Sequence, residues 1–395
     1  MMRSLTCSLY AVAAAFSLGV WAGPALAETG VGEDTIRIGM FGPLTGPVSL
    51  YGYPINNGAI AYYSAVNKAG GVHGRKIEVV HEDGACNPAK TRAAIKKLLS
   101  RGNVFMVHGG NCSAAVFAAR EEFIDNEVPM MVMAATMDKL SEPMSRYVFT
   151  TTLPGSLDGG LMFEFLKTIP DVETFAVVKH ADEWADAKAE AVFAGAERGE
   201  EELVGTVIID RNATDATTQV LRLQELKPDA VVVLLYPAET AIFLRDAKKY
   251  GLAGPFLGTV STMDLDDLAE RAGGAEALAE FYTASFLREG PRHPDMKEYV
   301  DILKASFPDD DVRALNFYGM SGAYAIVDAL ERAGPDLTRE KFIEALENTR
   351  DGPAGPAACK VNFTPETRQG CRSGTVWTYR DGEIVNVGPT WREVN

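Results

Sequence analysis

The chain has 395 residues, 47% hydrophobic and 23% charged, with 38 basic against 54 acidic side chains and a net charge of −16. That composition excludes disordered, collagen-like and low-complexity classes, and the acidic balance disfavours nucleic acid and anionic membrane surfaces as partners. The length exceeds what one hydrophobic core usually supports, so two domains are expected.

Residues 1–27 read as a secretory signal. Arg3 is the positive region, Leu5 to Trp21 is apolar and uncharged, and Ala25-Leu26-Ala27 is a small-x-small cleavage pattern. A membrane anchor is the competing reading, but the uncharged run is short and ends at Gly23-Pro24. Cys7 lies inside this segment, away from the cleavage point, so no lipid anchor is suggested. The rest is then an exported chain with four cysteines, Cys86, Cys112, Cys359 and Cys371. An even number in an exported protein points to disulfides. Three pairings are possible, and proximity in sequence favours Cys86 with Cys112 and Cys359 with Cys371.

From Ile36 onward, short apolar runs alternate with helical patterns. Ile36–Met40 is a strand that enters a Gly/Pro-rich turn, followed by a helix over Tyr53–Lys68, the tight Gly70-Gly71-Val72-His73-Gly74 connection and a second strand, Lys76–His81. Further strands are expected at Val104–His108, Pro129–Ala134, Thr174–Val178, Leu203–Ile209, Ala230–Leu235, Pro255–Gly258 and Glu280–Ser285. Helical patterns separate them at Pro88–Arg101, Ala114–Asn126, Ser156–Thr168, Asp186–Arg198, Thr217–Leu226 and Ala238–Lys248. This rhythm predicts an α/β protein with parallel sheets and right-handed crossovers. The segment Tyr147 to Gly155, with its threonine run and Pro-Gly pair, reads as a crossing between two lobes. Long helices follow at Asp295–Ser306, Asn316–Ala333 and Arg339–Asn348, then short strands at Lys360–Thr364, Thr375–Arg380 and Glu383–Asn386. The last two flank Asp381-Gly382, a hairpin signal.

In an open α/β sheet, small molecules bind beyond the carboxyl ends of the strands. Asn111-Cys112-Ser113 lies between a strand and an Ala-rich helix, and Ala134-Ala135-Thr136 follows the next strand. Each places a hydroxyl and free backbone N–H groups where a carboxylate would be held by charge-assisted bonds. The bland alternatives are an N-cap for Ser113 and a turn hydroxyl for Thr136.

Several stretches together resemble one family. They are IRIGMFGPLTGPVSLYG, NKAGGVHGRKIEVVHEDGACNPAK, MVHGGNCSAA, VPMMVMAAT and YPAE. The chain resembles the periplasmic solute-binding proteins of branched-chain-amino-acid ABC transporters, the leucine/isoleucine/valine-binding group. The resemblance implies a type I periplasmic-binding-protein fold: two doubly wound parallel-sheet lobes joined by three crossovers. The implied lobes are 28–151 with 286–350, and 152–285 with 351–395. It also implies a periplasmic receptor with no catalytic residue, cofactor or metal. Such a receptor would be a monomer that closes on a small carboxylated solute and delivers it to ABC permease subunits.

By match, Ser113, Ala134 and Thr136 would hold the ligand carboxylate. Tyr51 from the first lobe, with Trp184 and Tyr236 from the second, would supply ring contacts. Trp184 stands where amino-acid binders usually carry tyrosine. Relatives with a disulfide bridge the segment holding Cys86 to the loop holding Cys112.

One departure bears on the ligand. Amino-acid-binding members carry an acid just after the strand at Pro255–Gly258, which pairs with the ligand ammonium, whereas this chain reads Thr259-Val260-Ser261. A buried ammonium without a counter-charge is costly. Either Asp264, Asp182, Glu183 or Glu239 substitutes near Val260, or the ligand has no ammonium. Amino acids and other organic or aromatic carboxylates are therefore both open. So is a sensory role on a membrane receptor. A hydrolase would need a nucleophile paired with a base, and Ser113 has no G-x-S-x-G context. The five histidines are scattered without ligand spacing, and Asp309-Asp310-Asp311 reads as a solvated turn.

Overall fold

A computed structural model describes residues 28–46, 48–199, 201–388 and 391–392. The expected signal segment lies outside them.

Two sheets carry the architecture. The first contains β1 (Thr35–Gly42), β2 (Lys76–Asp83), β3 (Met106–Gly109), β4 (Met130–Val132) and β5 (Val148–Thr150), all parallel, in the order β2-β1-β3-β4-β5. Its helices are α1 (Ser49–Lys68), α2 (Pro88–Ser100) and α3 (Ser113–Asp125). The chain then passes through α4 (Gly155–Leu166) into the second sheet. That sheet holds β6 (Thr174–Lys179), β7 (Glu202–Ile208), β8 (Ala230–Leu234), β9 (Phe256–Gly258) and β10 (Phe281–Ser285), interleaved with α5 (Glu183–Ala196), α6 (Thr217–Leu226), α7 (Pro237–Tyr250) and α8 (Leu265–Ala272). After β10 come α9 (Lys297–Lys304), α10 (Asn316–Ala333) and α11 (Arg339–Glu347). The chain finally returns as β11 (Ser373–Arg380) and β12 (Glu383–Asn386), antiparallel additions to β10, with β13 (Trp391–Arg392) paired to β11.

Strand composition explains the burial. Strands covered by helices on both faces read as continuous apolar runs. Thus β8, Ala-Val-Val-Val-Leu, is buried at every position. The edge strand β7 buries one residue and leaves the rest partly or fully exposed. Helix α10 packs on α1 so closely that a Cβ at Gly58 would lie 1.6 Å from the Asn316 carbonyl oxygen. No residue with a side chain fits there without moving a helix. The Asn316 side chain also donates to Pro54 O, and Arg313 donates to Leu50 O, the acceptor that Pro54 leaves free because it has no N–H.

Three elements differ from the sequence expectation. Val148–Thr150 is a fifth parallel strand beside β4, with the crossing beginning after it. Three residues are too few for an alternation to register. Lys360–Thr364 forms only isolated bridges, Val361 to Gly352 and Thr364 to Thr367, within a segment that hydrogen-bonds β5 through Thr150. Helix α8 was not expected, although Leu265, Leu268, Ala269 and Ala272 form its buried face.

The structure joins Cys86 to Cys112 and Cys359 to Cys371, with Cα atoms 5.6 and 5.7 Å apart. The first crosslink, between residues 26 apart, ties the loop after β2 to the N-cap of α3. Closing a loop of that length stabilises by about 3 kcal/mol in the chain-entropy model. Cys86→Ala with Cys112→Ala should therefore lower the urea-unfolding free energy by about 3 kcal/mol. An unchanged midpoint and slope would show that the crosslink contributes nothing.

Candidate functional site

Strand order reverses between β1 and β3 in the first sheet and between β6 and β8 in the second. Ligands of open α/β sheets bind at such switch points. Here both reversals face one cavity of about 640 Å³, lined by residues that follow β2, β3, β6 and β8.

Tyr51, Ser113, Trp184 and Tyr236 line this cavity, and Cys86 and Cys112 form part of its wall. Tyr51 lies in the first turn of α1, and its ring meets Tyr236 edge-on across the cleft, with centroids 6.5 Å apart. Trp184 and Tyr236 stack at 4.4 Å with an angle of 14° between planes. Together these rings form an apolar, flat-walled chamber suited to a planar or branched apolar group. Burial pushes the Tyr236 phenol up to about 12, so it stays a neutral hydrogen-bonding group.

Thr136, Ala134 and Val260 sit behind this surface, all buried. Ser113 Oγ accepts from the backbone N–H groups of Thr136 and Met137, at 3.2 and 3.3 Å. With both lone pairs engaged, its proton is left to donate. Ser113 opens helix α3, where early N–H groups lack helical partners and the helix dipole favours an anion. The fold brings Ser113 and Thr136 together, with Ser113 at the cavity and the Thr136 N–H directed to Ser113 Oγ.

Sequence reasoning missed three residues here. The first is Asp158, in the first turn of α4. Its Oδ1 accepts from Val260 N–H at 3.2 Å, so the acid beside Val260 comes from another element 102 residues away. The second is Lys188, one helical turn beyond Trp184 on α5. Its Nζ donates to Thr136 Oγ1 at 2.8 Å and lies 3.3 Å from Asp158 Oδ2, with both side chains fully buried. It also sits 4.7 Å from the Trp184 ring centroid, a cation–π contact. The Asp158 to Lys188 contact is poorly aligned as a hydrogen bond, and Oδ2 has no other partner. Burial pushes the Asp158 carboxyl up and the Lys188 ammonium down, and their attraction opposes both shifts. The partners favour the charged pair: Asp158 accepts from an N–H, and Lys188 donates to a hydroxyl.

The third is His180, which follows β6. Its Nδ1 donates to Ile209 O at 2.7 Å, and its Nε2 accepts from Tyr236 N–H at 3.1 Å. This neutral imidazole ties the Tyr236 backbone to the end of β7. Burial lowers its pKa.

The four acids considered as substitutes near Val260 are engaged elsewhere. Asp182 caps α5 by accepting from Ala185 N–H and pairs with Arg211. Asp264 pairs with Arg313, Glu239 accepts from Asn212 N–H at 2.7 Å, and Glu183 lies near Lys139 at the exposed rim. Arg211 completes the cavity wall, its guanidinium 3.8 Å from the Tyr236 ring centroid. Polar contacts that cross the cleft include Lys188 to Thr136, Arg313 to Asp264 and Asp267, Lys139 to Glu183, and the Tyr318 hydroxyl, which donates to Val260 O at 3.3 Å.

Known proteins resemble this chain in sequence and in fold. A curated relative is the leucine-, isoleucine-, valine-, threonine- and alanine-binding protein of Pseudomonas aeruginosa, 28% identical over 331 residues, spanning 83% of this chain and 87% of the relative. In fold, the chain aligns with the branched-chain amino acid transporter substrate-binding protein of Streptococcus pneumoniae in complex with isoleucine. The TM-score is 0.79 at 21% identity, covering 90% of this chain and 100% of that one. It aligns equally with an ABC-transporter solute-binding protein of Rhodopseudomonas palustris in complex with 3,4-dihydroxybenzoic acid. There the TM-score is 0.79 at 24% identity, covering 92% and 99%. These likenesses make the fold the type I periplasmic-binding-protein fold. The periplasmic binding protein model matches residues 35–383, and the chain belongs to that family.

Proposed function

We propose that the protein is the extracytoplasmic solute-binding receptor of an ABC importer and captures a small carboxylated solute between its two lobes. The lobes are residues 28–151 with 286–350, and 152–285 with 351–395, turning about the crossovers between the sheets. The receptor works in the periplasm as a monomer and hands its ligand to membrane permease subunits without chemical change. The observation that carries this reading is the cavity at both switch points. Its rings come from both lobes, and it has a donor-rich head at Ser113 and the start of α3, with Thr136 behind it.

The carboxylate is held by Ser113 Oγ–H and the N–H groups that begin α3, with Thr136 ordering Lys188 beside it. Ala134 and Val260 shape the floor through their backbones. Ser113→Ala and Thr136→Ala should each weaken binding by about 1–3 kcal/mol. Titration calorimetry with 4-methylpentanoate, leucine, 3-phenylpropanoate and phenylalanine tests this. Affinity unchanged in both variants would remove the carboxylate assignment. Ligand recovered intact after prolonged incubation is the result expected of a receptor, and conversion of it would overturn that reading.

A further inference from the structure

We infer that Lys188 supplies from within the protein the ammonium that an α-amino acid would otherwise bring, and that the site takes apolar or aromatic carboxylates lacking an amino group. The inference rests on the carboxylate-receptor reading above and names the ligand class within it. Lys188 Nζ is fully buried between Thr136 Oγ1 at 2.8 Å and Asp158 Oδ2 at 3.3 Å. Both oxygens face an ammonium already, directly behind the Ser113 and Trp184 part of the cavity wall. Asp158 Oδ1 is taken by Val260 N–H. Asp182 and Asp264 hold Arg211 and Arg313, Glu183 lies beside Lys139 at the exposed rim, and Glu239 takes Asn212 N–H through Oε1 with Oε2 3.8 Å from His180.

A ligand ammonium brought up to Val260 would therefore meet an acid already paired with Lys188. Two cations already lie against the rings of that wall, Lys188 over Trp184 and Arg211 over Tyr236. An unpaired ammonium in such surroundings is strongly disfavoured. What remains at the cavity head are donors: the Ser113 hydroxyl, the N–H groups of α3 and the field of Lys188. Donors without spare acceptors recognise a carboxylate alone. The stacked rings accept a flat or branched apolar body behind it.

The test pairs each amino acid with its deaminated counterpart: leucine with 4-methylpentanoate, and phenylalanine with 3-phenylpropanoate. Calorimetry on the wild-type protein should show the deaminated member of each pair binding at least 100-fold more tightly. In K188M, Asp158 and Thr136 Oγ1 are released to receive a ligand ammonium. The ratio should then move at least tenfold toward the amino acid. The double variant D158N/K188Q, a neutral hydrogen-bonding pair, gives a second measurement if K188M does not fold. It should reduce wild-type discrimination at least tenfold. Wild-type protein that binds the amino acids as tightly as their counterparts would overturn the inference, as would a folded K188M with an unchanged ratio. If neither class binds the wild-type protein at all, the carboxylate-receptor reading itself fails, and this assignment fails with it.

Discussion

Lys188→Met alone should destabilise the protein by about 3–5 kcal/mol, because it leaves the buried Asp158 carboxylate without its partner. Both side chains are fully buried, so neither charge can recover its lost hydration by turning outward. Methionine matches the lysine stem in length and keeps its contact with the Trp184 ring. The loss therefore isolates the charge rather than the packing. Adding Asp158→Asn to Lys188→Met removes the orphaned charge while keeping an acceptor for Val260 N–H, and should recover most of the stability. Urea unfolding of the wild-type, single and double variants closes this cycle. If the single variant is as stable as the wild type, the pair is not charged in the interior, and the reading of the cavity head fails. Breaking one partner of a buried pair is expected to cost more than removing both, since the residual charge carries the penalty.

Acid should weaken the first lobe well before its carboxylates titrate. His108 is fully buried, with Nδ1 2.8 Å from the Tyr63 hydroxyl and Nε2 against the Gly322 backbone of α10. Burial pushes its pKa down to about 3. His81 accepts from the Asn56 side chain at 3.1 Å, and burial holds it down at about 4 despite nearby Asp83 and Glu82. In the unfolded chain both titrate near 6.5. As pH falls below that value, the unfolded state takes up protons that the native state refuses. Stability is therefore lost from about pH 6.5 downward until the native pKa values are reached. At pH 5 the loss relative to pH 7.5 is about 2 kcal/mol for each histidine.

Asp264 works the other way. Burial pushes its carboxyl up to about 6 in spite of Arg313, so the native state binds its proton first and gains stability as pH falls from about 6 toward 4. That gain is about 1 kcal/mol at pH 5 and offsets part of the loss. His180, lowered by burial, adds to the histidine side. Chemical denaturation at pH 7.5, 6 and 5 should show a net decline, and His108→Gln should flatten it. A stability that is level or rising down to pH 5 would contradict the buried neutral histidines.

Much of the fold was legible before any coordinates, because each signal is local. The β-branched run at Ala230–Leu235 was read as a strand, and Ala230–Leu234 is one, buried throughout. The hairpin at Asp381-Gly382 needed two residues able to adopt positive φ, and both do. Ser113 was found because it sits at a helix start after a strand, which an α/β sheet turns toward one crevice, and Tyr51, Trp184 and Tyr236 through the resemblance; all four line the cavity. The short strand at Val148–Thr150 and the helix at Leu265–Ala272 were missed. Three residues carry no period, and one amphipathic helix of eight residues among acids looks like a loop.

The centre of the site was not legible. Asp158 and Lys188 each stand in helical patterns, where a charge is normally solvent-facing, and nothing near them in sequence marks them as buried. Asp158 reaches Val260 across 102 residues, and Lys188 reaches Thr136 across 52. Only the packing of α4 on α5 beneath Trp184 withdraws both charges from water and aims them at the cleft. The sequence by itself determined the family, the two-sheet architecture and the rings that line the cavity. The tertiary structure alone decided that Asp158 and Lys188 are buried and paired beside Thr136, because desolvation and pairing are properties of contacts between distant segments and not of the residues taken singly.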